Sequence, residues 1–392
     1  MNGTTYKRGK GNWAYSIYLG KSPDGKQHRV FKSGFATKRE ADDAKQKEFE
    51  SLRDKAAVAA GAPETLGQLI EVYLIDHAAK HCAPTTAERY RALVRHIHAE
   101  VLATPLEALN TLQLEREFDR LKASGGHKRK TLAVRPLAAK TVRHVWGVIH
   151  AALANGMRLG FLRANVATPC HLPPLDQRES KALDATQTDF YLSAAKGHYL
   201  HPILVLAVAT GCRRGELLAL TWQDFDAGRS MLTVTKSLEQ TKAGLRIKPP
   251  KNMKPRLVKL PQMAVDVLQA HRVEQAKRRQ TFGPDYQTDP DLIFAGPDGS
   301  FLRPDTVTAA ACLLANRAGL KGIGMHSLRH SHGSQLLSAG VPLPAVSKRL
   351  GHSSPRITAE IYSHALPNDE EAAADIWEAF MKPSLEPPSR PQ

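Results

Sequence analysis

The hydrophobic pattern changes period along the chain. Trp13, Tyr15, Ile17 and Leu19 alternate with mostly polar or small residues, which predicts a half-buried strand. Pro23-Asp24-Gly25 is a turn signal, and Val30 and Phe31 mark a further strand. Thr37 followed by Glu40 forms a capping box that opens a charged helix to about Lys55. The period then becomes helical. Thr65 and Gln68 cap a helix carrying Leu66, Leu69, Ile70, Tyr73 and Leu74; Thr85 and Glu88 cap another with Tyr90, Leu93, Val94 and Ile97. A third stripe holds Leu114, Phe118 and Leu121, and a fourth Val142, Val145, Trp146, Ile149 and Leu153. At this spacing such stripes are core faces rather than cofactor boxes. A basic loop, Gly125-Gly126-His127-Lys128-Arg129-Lys130, separates the last two; it is either a solvated run or a grip on phosphates.

Pro169, Pro173 and Pro174, followed by charges, read as an interdomain linker. Beyond it Asp184 and Gln187 cap a helix, and His201 to Thr210 continues a buried one. Strand-like stretches follow at Leu232–Thr235, Leu245–Ile247 and Arg256–Leu260, and the chain after Phe294 is mostly helical. The reading is therefore multidomain: a small N-terminal α+β module (a three-stranded sheet plus a helix), an all-α domain, and a mixed, mainly helical α+β domain. The expected bounds are 1–58, 64–168 and 183–382, with a linker at 169–182 and a Pro-rich disordered tail at 383–392.

Charge narrows the partner. Lys plus Arg number 55 against 38 acidic residues, a formal net charge of +17, which favours a polyanion because each neutralised phosphate releases counterions. A soluble basic surface or an RNA-binding protein would look the same at this level. No apolar run approaches the roughly 18 residues of a membrane span. The N-terminus carries Lys7, Arg8 and Lys10 where a secretory signal would be apolar, so a cytoplasmic protein is expected. Cys82, Cys170, Cys212 and Cys312 are scattered, which speaks against a zinc site.

Three local signals carry chemistry. In Thr210-Gly211-Cys212-Arg213-Arg214-Gly215-Glu216, Arg213 and Glu216 sit three apart, as if on one helix face, where an Arg held by a Glu suits a phosphate. Taken alone, an ordinary helical salt bridge explains the pair. In His326-Ser327-Leu328-Arg329-His330, His326 and Arg329 share a face. His326, His330 and His332 also suggest a metal, but no nearby carboxylate or thiol completes a ligand set and Arg329 would repel a cation. Last, Leu350-Gly351-His352 is followed by Tyr362, a core residue or a nucleophile.

In this order (TGxRxxE, HxxR, LGH, Tyr) the signals resemble the tyrosine recombinases, the phage integrases. The resemblance implies Tyr362 as nucleophile, with Arg213, His326, Arg329 and His352 around the phosphate and Glu216 in support. It also implies a catalytic Lys on a β-hairpin, best matched by Lys251 in Pro249-Pro250-Lys251-Asn252-Met253-Lys254-Pro255-Arg256, with Lys254 as its rival. It makes 1–58 an arm-type DNA-binding domain using Lys7, Arg8 and Lys10, 64–168 a core-binding domain with Lys128, Arg129 and Lys130, and 183–382 the catalytic domain. The expected partners are double-stranded DNA, a homotetramer on DNA, and accessory DNA-bending proteins, with no cofactor, metal or membrane. A regulator that lost catalysis, a type IB topoisomerase and a structural nucleic-acid protein, which would explain the charge alone, are the rival readings. Ala373, Ile376, Trp377 and Phe380 form a C-terminal stripe that packs either on its own domain or on a neighbouring protomer.

Overall fold

The computed structural model describes residues 2–9, 12–21, 27–59, 62–128, 131–175, 181–250, 255–362 and 370–385, in two compact units, Met1–Gln177 and Arg178–Gln392. The first unit opens with an antiparallel sheet, β1 (Asn2–Gly9), β2 (Asn12–Lys21) and β3 (Gln27–Phe35), and helix α1 (Lys38–Ala59). Strand β1 is nearly all polar, so no alternation announces it; pairing with β2 places it, Thr4 opposite Ser16 and Tyr6 opposite Ala14. Tyr15 and Ile17 are fully buried on the helix side, where the Phe49 ring fills the space a side chain at Gly3 would need. The expected capping box is half formed: the Thr37 hydroxyl accepts the Glu40 N–H at 3.2 Å, but the Glu40 carboxylate accepts from Ala36 N–H at 3.0 Å.

Helix α2 (Leu66–Val72) starts on the full Thr65–Gln68 capping box and runs through a π-helical turn, Tyr73–Ala78, into α3 (Ala79–His81). Then come α4 (Pro84–Val94), α5 (Ala99–Leu102), α6 (Thr111–Ser124), a hairpin of β4 (Gly126–Lys128) and β5 (Thr131–Arg135), and α7 (Ala139–Leu159). Leu66, Leu69, Ile70, Leu114, Phe118, Leu121, Val142, Val145 and Ile149 form one buried core, as the helical stripes predict. Two expectations are corrected. Helix α4 begins at Pro84, whose fixed φ and missing N–H suit a first turn, so Thr85 is not its cap. Within the basic loop after α6, Gly126–Lys128 form β4, which pairs with β5, so this region is not all-α; Leu137 N–H donating to Leu121 O at 3.2 Å ties the segment after β5 to α6.

The second unit holds α8 (Ala185–Ala194), α9 (His201–Thr210), α10 (Arg214–Leu217), β6 (Phe225–Asp226), β7 (Met231–Val234), β8 (Ser237–Thr241), β9 (Gly244–Lys248) and β10 (Arg256–Lys259). Strands order β10-β7-β6 in one small sheet, and β8 pairs β9. The remainder is α11 (Gln262–Phe282), α12 (Pro304–Arg317), α13 (Met325–Ser338), α14 (Leu343–Leu350), α15 (Pro355–Tyr362) and α16 (Glu370–Leu385). Helix α9 is apolar all round, and Ile203 to Ala207 are buried at the centre of the unit. Helix α16 runs through Leu385, past the expected start of the tail at Pro383; residues 386–392 of that tail lie outside the described residues. Among the described residues no helix is long and apolar enough to cross a membrane.

Candidate active site

Two glycines in left-handed backbone position the site. Helix α9 ends at Gly211 (φ 65°), and α14 ends at Gly351 (φ 68°). A side chain at Gly211 would come within 2.6 Å of Leu350 and 2.7 Å of His332, so only glycine lets the two helix ends meet. Arg213 follows the first glycine by two residues and His352 the second by one.

Arg213 and Glu216 do not share a helix face, as the spacing had suggested. Arg213 is the extended N-cap of the one-turn α10, and Glu216 is its third residue. The Glu216 carboxylate accepts the Arg213 backbone N–H at 2.9 Å and its guanidinium at 2.9 Å. The same carboxylate accepts two further bonds from Arg256 on β10, at 2.6 and 3.2 Å. Burial raises the pKa of Glu216, but the hydrogen bonds and charges of Arg256 and Arg213 prevail and hold it below the usual range.

Helix α13 supplies His326, His330 and Arg329. The Arg329 guanidinium is buried and donates to Gly211 O at 2.6 Å and Leu350 O at 2.8 Å, the two helix ends just described. Burial first, then the Arg213 charge, push its pKa down to about 10. His326 packs edge-on against His330, 4.5 Å between centroids, and His330 lies 5.7 Å from the Tyr362 ring. Burial and the charges of Arg329 and Arg213 lower the His326 pKa, so its imidazole is neutral and able to accept a proton at pH 7. His352 is pushed down to about 4 by burial and the same two charges, and its Nδ1 lies 2.7 Å from Thr358 Oγ1.

Tyr362, the last residue of α15, is 1% exposed. Its hydroxyl donates weakly to Arg329 O at 3.5 Å, and its ring lies flush on Gly333, where a Cβ would sit 2.6 Å from Cζ. Burial raises its pKa, opposed by Arg329 and Arg213. Beside this cluster lies a groove of about 1210 Å³ lined by Arg213, Arg256, Lys259, Lys348, Arg349 and His352, among others.

The structure thus gathers Arg213, Glu216, His326, Arg329, His352 and Tyr362. Lys251 and its rival Lys254 lie outside the described residues, as do Lys10, Arg129 and Lys130. Lys128 ends β4, and Lys7 and Arg8 are exposed on β1, in the other unit. Among the described residues no His, Cys, Asp or Glu cluster could hold a metal. Sequence reading missed Arg256, Thr358, Arg349 and Gly333. A signal for Arg256 existed: Val258 is buried on β10, and period two puts Arg256 on the same face while Leu257 is 64% exposed.

The chain matches the Phage integrase family over residues 175–369 and an Arm DNA-binding domain over residues 4–49. It is 26% identical to a tyrosine recombinase XerC-like protein of Caldanaerobacter subterraneus subsp. tengcongensis, covering 94% of this chain and 96% of that one. It is 30% identical to the tyrosine recombinase XerC of Xanthomonas campestris pv. campestris, covering 69% and 74%. Its fold is similar to that of the Tn1549 transposon integrase in complex with a circular intermediate DNA (TM-score 0.66, 19% identity, 81% of this chain and all of that one). It is also similar to a lambda integrase dimer bound to a COC' core site (TM-score 0.56, 18% identity, 91% and 94%). The chain belongs to the phage integrase family, the tyrosine recombinases. Its activity is site-specific DNA recombination.

Proposed function

We propose that Tyr362 attacks a phosphate of a double-stranded attachment site in line, forming a 3′-phosphotyrosyl link and releasing a 5′-hydroxyl. A 5′-hydroxyl of a partner strand then attacks that link and frees the tyrosine. One phosphoester replaces another at each step, so no ATP is needed. The observation that carries this reading is the gathering of Arg213, Arg329, His326 and His352 around Tyr362 beside a basic groove. Arg213 and Arg329 clamp the non-bridging oxygens, where charge builds in the transition state. His326 takes the tyrosine proton, a role worth about 10²–10⁴-fold. His352 donates to the phosphate, and Lys251, with Lys254 as its rival, protonates the departing 5′-oxygen. Glu216 orients the arginines. The two arginines and the lysine supply the charge a metal gives other phosphoryl-transfer sites, so no divalent ion or cofactor is required. Tyr362, buried and turned to Arg329 O, must leave its pocket before cleavage.

Residues 1–58 bind arm-type DNA and 64–168 clamp the core site with the catalytic domain, 183–382. Two strand exchanges on two duplexes require four protomers. The Ile376, Trp377 and Phe380 stripe of α16, 65–73% exposed, serves a neighbouring protomer in that tetramer. The arm domain favours a prophage or mobile-element integrase working in the cytoplasm on chromosomal DNA, assisted by DNA-bending proteins. The test is a duplex with a 5′-bridging phosphorothiolate at the candidate core site, in EDTA. Wild type should give a denaturant-stable protein–DNA adduct and Tyr362→Phe none. Tight binding without adduct would leave a catalytically dead regulator, and an adduct from Tyr362→Phe would mean another nucleophile.

A further inference from the structure

We propose that Arg256 is a positioning residue for strand transfer: by sharing the Glu216 carboxylate it sets the direction and the available charge of Arg213. This rests on the function proposed above. Glu216 is 1% exposed, and its two oxygens receive four donors, Arg213 N–H and guanidinium and two from Arg256. A carboxylate has about four acceptor positions, so this one is saturated and cannot turn.

The charge count matters as much as the geometry. A buried carboxylate facing Arg213 alone would form a closed neutral pair, pulling that guanidinium inward. With two guanidiniums on one carboxylate the group keeps a net positive charge. The other terminal nitrogen of Arg213 makes a long 3.4 Å contact with Gly351 O, and Arg213 lines the groove with His352. Arg256 spends its donors inside the protein, Nη1 and Nη2 on the Glu216 carboxylate, with 9% of its side chain exposed. Its Nε donates to Arg349 O at 3.2 Å, in the last turn before Gly351 and His352. A side chain at Gly351 would come 3.0 Å from the Arg256 guanidinium. Arg256 also begins β10, two residues beyond the segment 251–254 that holds both candidate lysines. One buried side chain therefore joins the carboxylate, the helix end that presents His352, and the strand leading from the lysine.

The test uses the full-length chain and a core-site duplex identified by sequencing the DNA that wild type retains covalently after denaturation. Single-turnover cleavage is measured for Arg256→Gln and Arg256→Lys, on the natural phosphate and on a methylphosphonate that removes the charged non-bridging oxygen. Arg256→Gln should slow cleavage about 30-fold or more, as expected for loss of a charge-assisted contact behind a phosphate clamp, with DNA affinity changed less than about 3-fold. Arg256→Lys should recover part of the rate. The deficit should nearly vanish on the methylphosphonate, and in a Glu216→Gln background Arg256→Gln should add little. An unchanged rate, an equal deficit on both substrates, or full additivity with Glu216→Gln would overturn the proposal and leave Arg256 a scaffold residue. If Arg256→Gln loses cooperative melting, Arg256→Lys carries the same substrate comparison. Absence of any wild-type adduct would overturn the function proposed above, whereas a wild-type adduct with an indifferent Arg256 overturns this inference alone.

Discussion

The Tyr362 hydroxyl lies 3.5 Å from the backbone carbonyl of Arg329, while the Arg329 guanidinium points away to Gly211 O and Leu350 O. One residue thus meets the buried tyrosine with its backbone and ties two helix ends together with its side chain. The backbone stores the tyrosine in its buried position.

Gly333 makes that storage possible, because a Cβ there would sit 2.6 Å from Tyr362 Cζ and 2.8 Å from its hydroxyl. Gly333→Ala should destabilise the protein by about 1–3 kcal/mol, the usual cost of overpacking. In a Tyr362→Ala background the same substitution should cost far less. Chemical denaturation of the four variants checks this; equal costs in both backgrounds would show that the ring is not the obstacle.

His332 and His352 should make the protein acid-sensitive. Burial and Arg349 push His332 down to about 4, and burial with Arg329 and Arg213 does the same to His352. A lowered folded pKa means that the unfolded chain binds the proton more tightly. Stability is then fully present above the unfolded value near 6.5 and falls as pH drops toward 4. His332 is 8% exposed and its Nε2 accepts from Arg349 Nε at 2.9 Å, a bond the imidazolium cannot make. It should account for about 2 kcal/mol lost between pH 7 and 5. Melting curves across that range should flatten in His332→Gln, and an unaltered slope would assign the acid sensitivity elsewhere.

The N-terminal sheet should bind DNA through its outer face. Strand parity puts Tyr6 on the face bearing Phe31; the Arg8 guanidinium, at a register shift after Lys7, lies 5.1 Å from the Phe31 ring, whereas Lys7 lies over Trp13 on the other face. Arg8→Ala should therefore weaken arm-site binding more than Lys7→Ala and lower the salt slope by about 1, as loss of one phosphate contact does. Salt titrations by fluorescence anisotropy decide it, and a larger effect from Lys7→Ala would reverse the face.

Much of the fold is legible in the amino-acid pattern. The helical stripes from Leu66 to Leu153 became one core, because a side-chain period of three to four leaves a helix one face to bury. The sheet pattern at Trp13–Leu19 and the caps at Thr65 and Asp184 also formed as read. The hairpin at Gly126–Arg135 and the polar strand β1 did not announce themselves, since backbone pairing with a neighbour, not their own apolar pattern, makes them strands.

The site divides the same way. Local order along the chain determined which residue types were available: an Arg before a Glu, a His before an Arg, a Gly-His, and a later Tyr. Spacing of three suggested a helix face for Arg213 and Glu216, where the structure has a capped turn. Tertiary packing alone decided that Arg256 would reach Glu216 from 40 residues away, that Arg329 would span Gly211 and Leu350, and that Tyr362 would be buried against Gly333. The reason is physical. Periodicity encodes what one element does with its own faces, but which buried charge meets which carboxylate depends on how distant elements close on one another.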